Sequence, residues 1–438
     1  MTSDRPARQF ERRAGTSRPA AVVAQTERNL DLEVVTTDDG LLALRADWDG
    51  LHEAMGSADG PRMNPFTSWT FAWEWWRTRT RTKRFAQPRL RLNIVVVRDT
   101  RQQVRAILPF VQLRWGLGPF VFRALRFYGF RRFGPLADLR GPLVWPGWEA
   151  DIARRLAQAW RGPENDVDMV VLEGLVGESP FTQRLEALAR TEDWRWAPDV
   201  PNHVLKLPEN WQAYRSAARG HLRKSIRHGY NSLKRDGHAW SFEMIEDPQR
   251  VGEAVKDVFR LHAARAAPNV KPRHHDHYAQ RADRDTLKAI AASMTPKGRF
   301  GVARMCIGDQ VVAARFVFIG SDAFYLHDAG ADPAWSYYAV ATTLTSECLR
   351  WGMERGARLA YLSIGADPSK ARWGGEQQML RRLVVAPTGR GRIAAPAILN
   401  VHKLVKMVRR LLLVSPLSVW EVELFRCAFQ EPFCFMAV

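Results

Sequence analysis

Short apolar stretches alternate with amphipathic segments along most of the chain. Alternating or continuous apolar runs such as residues 30–35 and 92–98 predict β-strands, and apolar positions three or four apart, as in residues 148–160, predict helices. A first series of these elements ends near residue 200, and a second begins with the apolar run at residues 204–208. Two series of similar order predict two α/β lobes related by duplication, although no sequence repeat is visible.

The second series contains the most informative pattern, from Asp322 to Gly374. A strand at residues 324–330 is followed by Asp332-Pro333, a predicted helix at residues 338–355 and a strand at residues 359–363. Backbone amides at such a helix start can hold a pyrophosphate. The candidate residues for this cofactor contact are Tyr338, Ala341, Thr342 and Thr343.

The end of the strand before that helix carries two candidate catalytic residues, Asp328 and His327. Strand ends at a divergence open into a cleft, where a carboxylate or an imidazole can move a proton. A buried, hydrogen-bonded structural pair is the alternative interpretation. The segment has no Gly-rich phosphate loop, which argues against nucleotide hydrolysis and hydride transfer.

Basic residues form two candidate substrate-binding groups. Arg219, Arg223 and Arg227 repeat every four residues in a predicted helix at residues 214–234, so they share one face. They predict either contact with a phosphate-bearing substrate or a solvated basic surface. Lys370 and Trp373 follow the predicted strand at residues 359–363 and are the other candidates for substrate contact.

A cluster of tryptophans and a cluster of histidines can each be interpreted as structural or as functional. Trp69, Trp73 and Trp76 lie on one face of a predicted helix, which indicates a core face, with stacking on nucleic-acid bases as the alternative. His274-His275-Asp276-His277 lacks nearby cysteines and any Glu-containing helix motif, so we predict a substrate loop and no metal site.

Charge and composition narrow the class of partner. The formal net charge of +19 favours anionic partners such as phosphate-bearing cofactors, nucleic acid or an acidic membrane surface. No run approaches the ~18 apolar residues of a membrane span, and the scattered cysteines indicate reduced thiols, so we predict a cytoplasmic protein. These cysteines are Cys306, Cys348, Cys427 and Cys434.

The predicted organisation has four parts. Residues 1–29 form a disordered basic tail, residues 30–200 the first lobe, residues 201–388 the second lobe, and residues 389–438 a C-terminal amphipathic helix and tail. Apolar and basic residues occupy opposite faces between residues 396 and 414. That helix could lie on an anionic inner-membrane surface or pack on the protein's own core.

The order of these motifs resembles that of the CelD/BcsL-like acetyltransferases, which carry the six-type acetyltransferase domain of the GNAT superfamily. The resemblance covers about residues 30–385. It rests on residues 65–76, 106–109, 141–143, Trp211, 219–227, Asp328, Asp332-Pro333, Gly356, Lys370 and Trp373-Gly374. Three positions depart from the usual family residues: Ala341 replaces Gly, Tyr361 replaces Asp and Ser369 replaces Tyr.

The resemblance implies an α/β (α+β) fold with two tandem GNAT-like lobes, each a mixed, mainly antiparallel sheet flanked by helices. It implies an N-acyltransferase that takes an acyl group from acyl-CoA, either acetyl-CoA or a longer thioester. The acceptor would be an amine on a small molecule or on a glycan- or lipid-linked compound, and similar proteins are linked to exopolysaccharide or envelope formation. The chemistry would reside in the second lobe.

Two alternatives remain open at this stage. The architecture is related to FemAB-type transferases, and the positive charge would permit an aminoacyl-tRNA donor. The chain could instead be a non-catalytic partner in polysaccharide assembly, docked on the membrane through residues 396–414.

Overall fold

The computed structural model covers most of the two predicted lobes. It describes residues 28–57, 64–80, 89–115, 121–131, 134–162, 165–267, 269–270, 274–365 and 367–399. The predicted N-terminal tail up to residue 27 and the amphipathic helix beyond residue 399 lie outside the described residues. Among the described helices, none combines the length and apolar character needed to cross a bilayer.

Strands and helices alternate in the order that the sequence predicts. The strands are β1 Leu30–Val35, β2 Arg89–Asp99, β3 Val104–Trp115, β4 Phe122–Phe127, β5 Phe130–Arg131, β6 Gly134–Pro135, β7 Leu143–Val144, β8 Met169–Leu175, β9 Arg195–Lys206, β10 Trp240–Ile245, β11 Phe300–Ile307, β12 Gln310–Ile319, β13 Ala323–Ala331, β14 Leu359–Ile364 and β15 Glu376–Val385. The α-helices are α1 Asp38–Ala43, α2 Arg45–Ser57, α3 Trp69–Thr80, α4 Glu149–Arg161, α5 Pro180–Ala189, α6 Trp211–Ala217, α7 Gly220–Arg235, α8 Val251–Arg265, α9 Arg281–Met294, α10 Val340–Glu354, α11 Pro368–Ala371 and α12 Gly389–Leu399.

One 13-stranded mixed sheet runs through both lobes in the order β1-β2-β3-β4-β8-β15-β9-β14-β13-β12-β11-β10, with β7 paired to β3. The strands on the two sides of the β15·β9 pair are arranged in a similar way. In each half, three antiparallel strand pairs lead to one parallel pair, which is β4·β8 in the first lobe and β13·β14 in the second. The predicted fold class, α/β with mixed, mainly antiparallel sheets flanked by helices, is confirmed, and the two sheets predicted for the two lobes are joined into one.

Strands β9 and β15 are exchanged between the lobes. β9 follows the first lobe in sequence but pairs with β14 of the second, and β15 follows the second lobe but pairs with β8 of the first. The sequence prediction ended the first lobe between Pro198 and Pro201, yet both prolines lie inside β9. They are tolerated there because β9 pairs only with β15 over this stretch and pairs with β14 from Asn202 onward.

The main core is shared by both lobes. Trp48, Trp75 and Phe66 of the first lobe belong to the same buried apolar cluster as Phe318 and Tyr325 of the second. The prediction that the Trp-rich helix packs into the core is confirmed: Trp69 is 6% exposed and Trp76 is 7% exposed. Their indole N–H groups donate to Leu41 O and to Asp38 Oδ1, which removes the cost of burying them.

A buried ion cluster lies where β4 and β8 diverge in the first lobe. Glu173 Oε1 accepts hydrogen bonds from Arg126 Nε at 2.8 Å and from Arg140 Nη1 at 2.5 Å. Arg382 of β15 lies 3.8 Å from Glu173 Oε2 and donates to Asp199 at 2.6 Å. We call these five residues the ion cluster. It joins the first lobe to the exchanged strand.

Two helices differ from their predicted boundaries. The predicted helix at residues 214–234 is broken at Ala218 and Arg219, whose extended backbones separate α6 from α7. The predicted helix at residues 338–355 is preceded by a 3₁₀ helix, Pro333–Tyr338, and α10 begins only at Val340. Ala339 between them adopts a left-handed conformation with φ 50°. In both places the sequence predicted one uninterrupted helix where the structure has two shorter helices separated by a change of backbone conformation.

Candidate active site

The divergence of β13 from β14 opens a large cleft in the second lobe. The two strands pair only from Ala323↔Leu359 to Tyr325↔Tyr361. Beyond these pairs, Ser363 and Gly365 have φ values of 66° and 111°, and β14 turns away from β13. A cavity of about 960 Å³ fills the gap, bounded by β13, β14, the start of α10 and residues 367–373.

The N-terminus of α10 faces this cavity. The amides of Thr342 and Thr343 both donate to Ala339 O, at 2.8 and 3.0 Å, and no side chain caps the helix. The amides of Val340 and Ala341 precede the first i→i−4 hydrogen bonds of the helix, so they are available to a ligand. Ala341 is exposed and lines the cavity, which makes the helix start accessible to an anion.

Two arginines flank the same helix start. Arg372 donates to Thr342 Oγ1 at 2.7 Å, and Arg315 of β12 donates to Thr345 Oγ1 at 3.2 Å. The Nε atoms of both are buried and have no hydrogen-bond partner among the described residues. Burial lowers the pKa of both guanidinium groups, so an anion in the cavity would offset a desolvation cost that each side chain bears.

Asp328 projects into the cavity from a β-bulge. His327 and Asp328 together occupy the space opposite one residue of β12, because the register shifts between Arg315↔Ala329 and Val317↔Leu326. Asp328 Oδ2 accepts a hydrogen bond from the Tyr278 hydroxyl at 2.6 Å, and Asp328 Oδ1 lies 3.3 Å from His277 Nδ1. The bulge therefore aims a carboxylate at the cleft, and its neighbours fix its orientation.

His327 connects the two lobes through a hydrogen bond. Its side chain is 1% exposed, its Nε2 lies 2.8 Å from Leu136 O of the first lobe, and its Nδ1 accepts the amide of Asp328 at 2.7 Å. These partners assign the proton to Nε2, which leaves a neutral ring with both nitrogens engaged. His327 therefore fits the alternative interpretation, a structural residue, and Asp328 stays the candidate for acid–base chemistry.

Lys370 lies beneath the cavity beside a buried carboxylate of the first lobe. Its ammonium donates to Ile364 O, and burial lowers the pKa of Lys370 while the charges of Asp138 and Asp328 raise it. Asp138 accepts a hydrogen bond from Ser363 at 3.3 Å, and burial raises its pKa. The first lobe thus places a buried carboxyl group close to Lys370.

The predicted site residues divide into those that line the cavity and those that do not. Ala341, Thr342, Lys370 and Trp373 line it together with His327 and Asp328. Tyr338 does not, because its hydroxyl lies 3.0 Å from His238 Nε2, on the side of α7.

Thr343 also lies away from the cavity, although it belongs to the first turn of α10. It packs against Gly229 of α7 so closely that a Cβ atom added to the glycine would lie 2.5 Å from Thr343 Oγ1. The two threonines of this turn therefore face different neighbours, about 100° apart around the helix, and of the two it is Thr342 that lines the cleft.

The three predicted substrate arginines are on the outer surface. Arg219, Arg223 and Arg227 are all exposed, and the residue of α7 that lines the cavity is Ser225. Two residues correspond to about 200° around an α-helix, so Arg223 and Arg227 lie opposite Ser225. The cleft therefore does not bring these arginines together with Asp328 and Lys370, and their contact with a phosphate-bearing substrate stays a prediction.

Sequence reasoning missed the cations that do line the cavity. These are Arg265, Arg315 and Arg372, joined by His274, His275 and His277 of the predicted substrate loop. Arg315 carried a signal, because it is the one charged residue between Val311 and Ile319 in an otherwise apolar strand. A charge in a strand buried on both faces indicates a functional or ion-paired group.

The departures from the family pattern are accommodated. Ala341 lies in a right-handed helix with its side chain exposed, so a glycine is not required there, and the left-handed position is Ala339. Tyr361 stacks on Tyr325 with ring centroids 4.4 Å apart. Ser369 is exposed, and its amide donates to Asp367.

Comparisons with known proteins agree with this geometry. Residues 220–371, about a third of the chain, match the family described as "Acetyltransferase (GNAT) domain". No curated protein matches the chain.

Among solved structures, FemX has a TM-score of 0.53 at 9% identity and covers 81% of this chain and 96% of its own. A tandem GNAT protein from the clavulanic acid biosynthesis pathway has a TM-score of 0.41 at 15% identity, over 82% of this chain and 99% of its own. The C-terminal domain of a putative lysylphosphatidylglycerol synthetase from Agrobacterium fabrum has a TM-score of 0.45 at 11% identity, over 80% of this chain and 94% of its own. FemX therefore shares the overall fold, and residues 220–371 of this chain are similar to GNAT-type acetyltransferase domains.

Proposed function

We propose that the second lobe transfers an acyl group from acyl-CoA to an amine. The observation that carries the proposal is the uncapped start of α10, which opens into the cavity between Arg315 and Arg372. Backbone amides at a helix N-terminus and guanidinium groups are the two protein groups best suited to a pyrophosphate. The amides of Val340 and Ala341 would bind the pyrophosphate of the donor.

Asp328 would act on the acceptor. The amine nitrogen attacks the thioester carbonyl, the new C–N bond forms, and the C–S bond breaks as CoA leaves as a thiolate. The surplus proton of the amine passes to Asp328, which faces the cavity and is oriented by Tyr278. Transfer between two bound substrates needs mainly such positioning and proton removal. An acceptor on a glycan- or lipid-linked compound of the envelope remains part of the proposal.

Isothermal titration of the folded protein with acetyl-CoA and longer acyl-CoAs tests the donor. An arginine–phosphate hydrogen bond contributes about 1.5–3 kcal/mol, so Arg372→Ala should weaken donor binding by roughly 10–150-fold. Arg223→Ala is the matched control, since Arg223 is exposed on the outer face of α7. Absence of binding by every acyl-CoA, or equal losses in the two variants, would reject the donor assignment.

A second candidate function uses aminoacyl-tRNA as the donor. It is favoured by the exposed arginines Arg219, Arg223 and Arg227, which suit a polyanion better than a small ligand in the cleft. The fold shared with FemX is compatible with it. In this case Arg223→Ala should reduce tRNA affinity and its salt dependence, measured by filter binding, while acyl-CoA should not bind. Tight acyl-CoA binding with no effect of Arg223→Ala on tRNA retention would exclude it.

A further inference from the structure

Three side chains that line the cavity lie close to one another. His262 belongs to α8, His277 to the segment between α8 and α9, and Asp328 to β13. One potential ligand atom from each lies within 4.8 Å of the other two. We propose that His262, His277 and Asp328 bind a divalent transition-metal ion such as Zn²⁺, a ligand that the acyl-transfer proposal does not require.

The spacing of one pair of ligand atoms, those of His277 and Asp328, fits such an ion. Bonds of about 2.0–2.1 Å in tetrahedral geometry place neighbouring ligand atoms roughly 3.3 Å apart. Nδ1 of His277 and Oδ1 of Asp328 lie 3.3 Å apart. The side chains of His262, His277 and Asp328 are 9%, 32% and 13% exposed, so the trio is sheltered while the cavity still reaches it.

The surrounding residues orient the ligands as they do in metal sites. Asp276 Oδ1 lies 3.2 Å from His262 Nδ1 and accepts the amide of Tyr278 at 2.9 Å. A carboxylate on Nδ1 fixes the tautomer and directs the lone pair of the His262 ring to Nε2, as is usual for metal-bound histidines. The Tyr278 hydroxyl donates to Asp328 Oδ2 at 2.6 Å, and this contact fixes the carboxylate with Oδ1 beside His277 Nδ1.

Ligand chemistry selects the class of metal. Two imidazoles and one carboxylate suit Zn²⁺, Fe²⁺ and Co²⁺ rather than Ca²⁺ or Mg²⁺, and three protein ligands leave a position open to the cavity. Asp276 and Asp328 supply negative charge, whereas Arg265 and Lys370 interact electrostatically with Asp328 and oppose a cation. We therefore expect a dissociation constant on the order of micromolar, weaker than that of structural zinc sites.

The ion would also change the role of Asp328. Oδ1 bound to a metal is no longer a free proton acceptor, so metal binding and the proton transfer proposed above would use the same carboxylate. If that transfer occurs, Zn²⁺ should slow it. The metal site itself does not depend on this, because its test is occupancy by the metal.

Equilibrium dialysis of the full chain against Zn²⁺, with metal quantified by atomic spectrometry, tests the site. The wild-type protein should bind one ion at this affinity. Loss of an outer-shell partner costs about 10–100-fold in affinity, so removing a ligand with His277→Ala or Asp328→Asn should cost at least about 100-fold. The matched control is His275→Ala, an exposed histidine of the same segment, which should bind as the wild type does.

Co²⁺ titration provides a second readout, because Co²⁺ bound by these ligands absorbs in the visible range and the absorption should be absent from both ligand variants. Asp328→Asn is nearly isosteric, so the test survives if His277→Ala fails to fold. Wild-type-like Zn²⁺ occupancy in a folded ligand variant, or equal loss in His275→Ala, would overturn the proposal. Acyl-CoA binding is measured separately, so either proposal can fail alone.

Discussion

Glu173→Gln should destabilise the protein far more than any surface substitution. Burial alone would raise the pKa of Glu173, but the charges of Arg126, Arg140 and Arg382 lower it to about 2. From the ordinary value of 4.5, this shift of about 2.5 units corresponds to roughly 3 kcal/mol of stability at neutral pH. The substitution also leaves Asp199 as the one remaining carboxylate of the ion cluster, and breaking a buried ion pair typically costs about 3–5 kcal/mol.

The pH dependence follows from the direction of the shift. Because the folded pKa of Glu173 is lowered, its contribution is complete above the unfolded pKa and is lost as pH falls from about 4.5 toward 2. The difference between wild type and Glu173→Gln should therefore shrink from about 3 kcal/mol at pH 7 to about 2 kcal/mol at pH 3.5.

Urea unfolding followed by tryptophan fluorescence at both pH values measures these differences. Glu253→Gln is the matched control, because Glu253 is 74% exposed and pairs with Lys256 on the surface. Removing that pair should change the free energy of unfolding by less than about 1 kcal/mol. Equal destabilisation by the two substitutions, or a Glu173 effect that does not change with pH, would refute the electrostatic account of the ion cluster.

Three further predictions concern packing, reactivity and the donor site. Gly330→Ala should lower the free energy of unfolding, measured in urea, by roughly 2–3 kcal/mol, because the added Cβ would lie 2.3 Å from the backbone nitrogen of His262. Gly252→Ala is the control: open space surrounds Gly252, so the substitution should be neutral or stabilising. Cys348 should resist iodoacetamide in native protein at pH 8 and react in urea, as read by mass spectrometry, because burial raises its pKa to about 12; labelling at equal rates would contradict this. Ala341→Asp should stabilise the start of α10 slightly, yet weaken acyl-CoA binding on the order of tenfold in calorimetry, and unchanged affinity would move the pyrophosphate elsewhere.

Local patterns were enough to predict the elements that build the cleft. The strand, helix and strand between residues 323 and 364 each follow one clear periodicity, and Asp332-Pro333 marks the turn because the Asp332 side chain accepts the amide of Ala334. Asp328 was found because it lies near the end of a strand. The Trp-rich helix was placed in the core because its apolar spacing is helical.

The features that were missed depend on contacts between distant parts of the sequence. His327 is held by Leu136, 191 positions earlier, so its engagement could not be seen from its own surroundings. The exchange of β9 and β15 is invisible locally, since either strand reads the same whichever lobe it joins. The extended backbone at Arg219 broke the predicted arginine face, and the signal for that break, Gly220 at the start of α7, was not used in the prediction.

The exchange of strands also determines when, during synthesis, β8 can pair with β15. β8 lacks its neighbour until β15 has been made, and about 200 residues separate the two strands. At roughly 5–20 residues per second, a ribosome needs on the order of 10–40 s to deliver β15. During that interval the edge of β8 is an open template for pairing with other chains. A nascent chain of this protein should therefore need protection by chaperones until its second lobe is nearly complete.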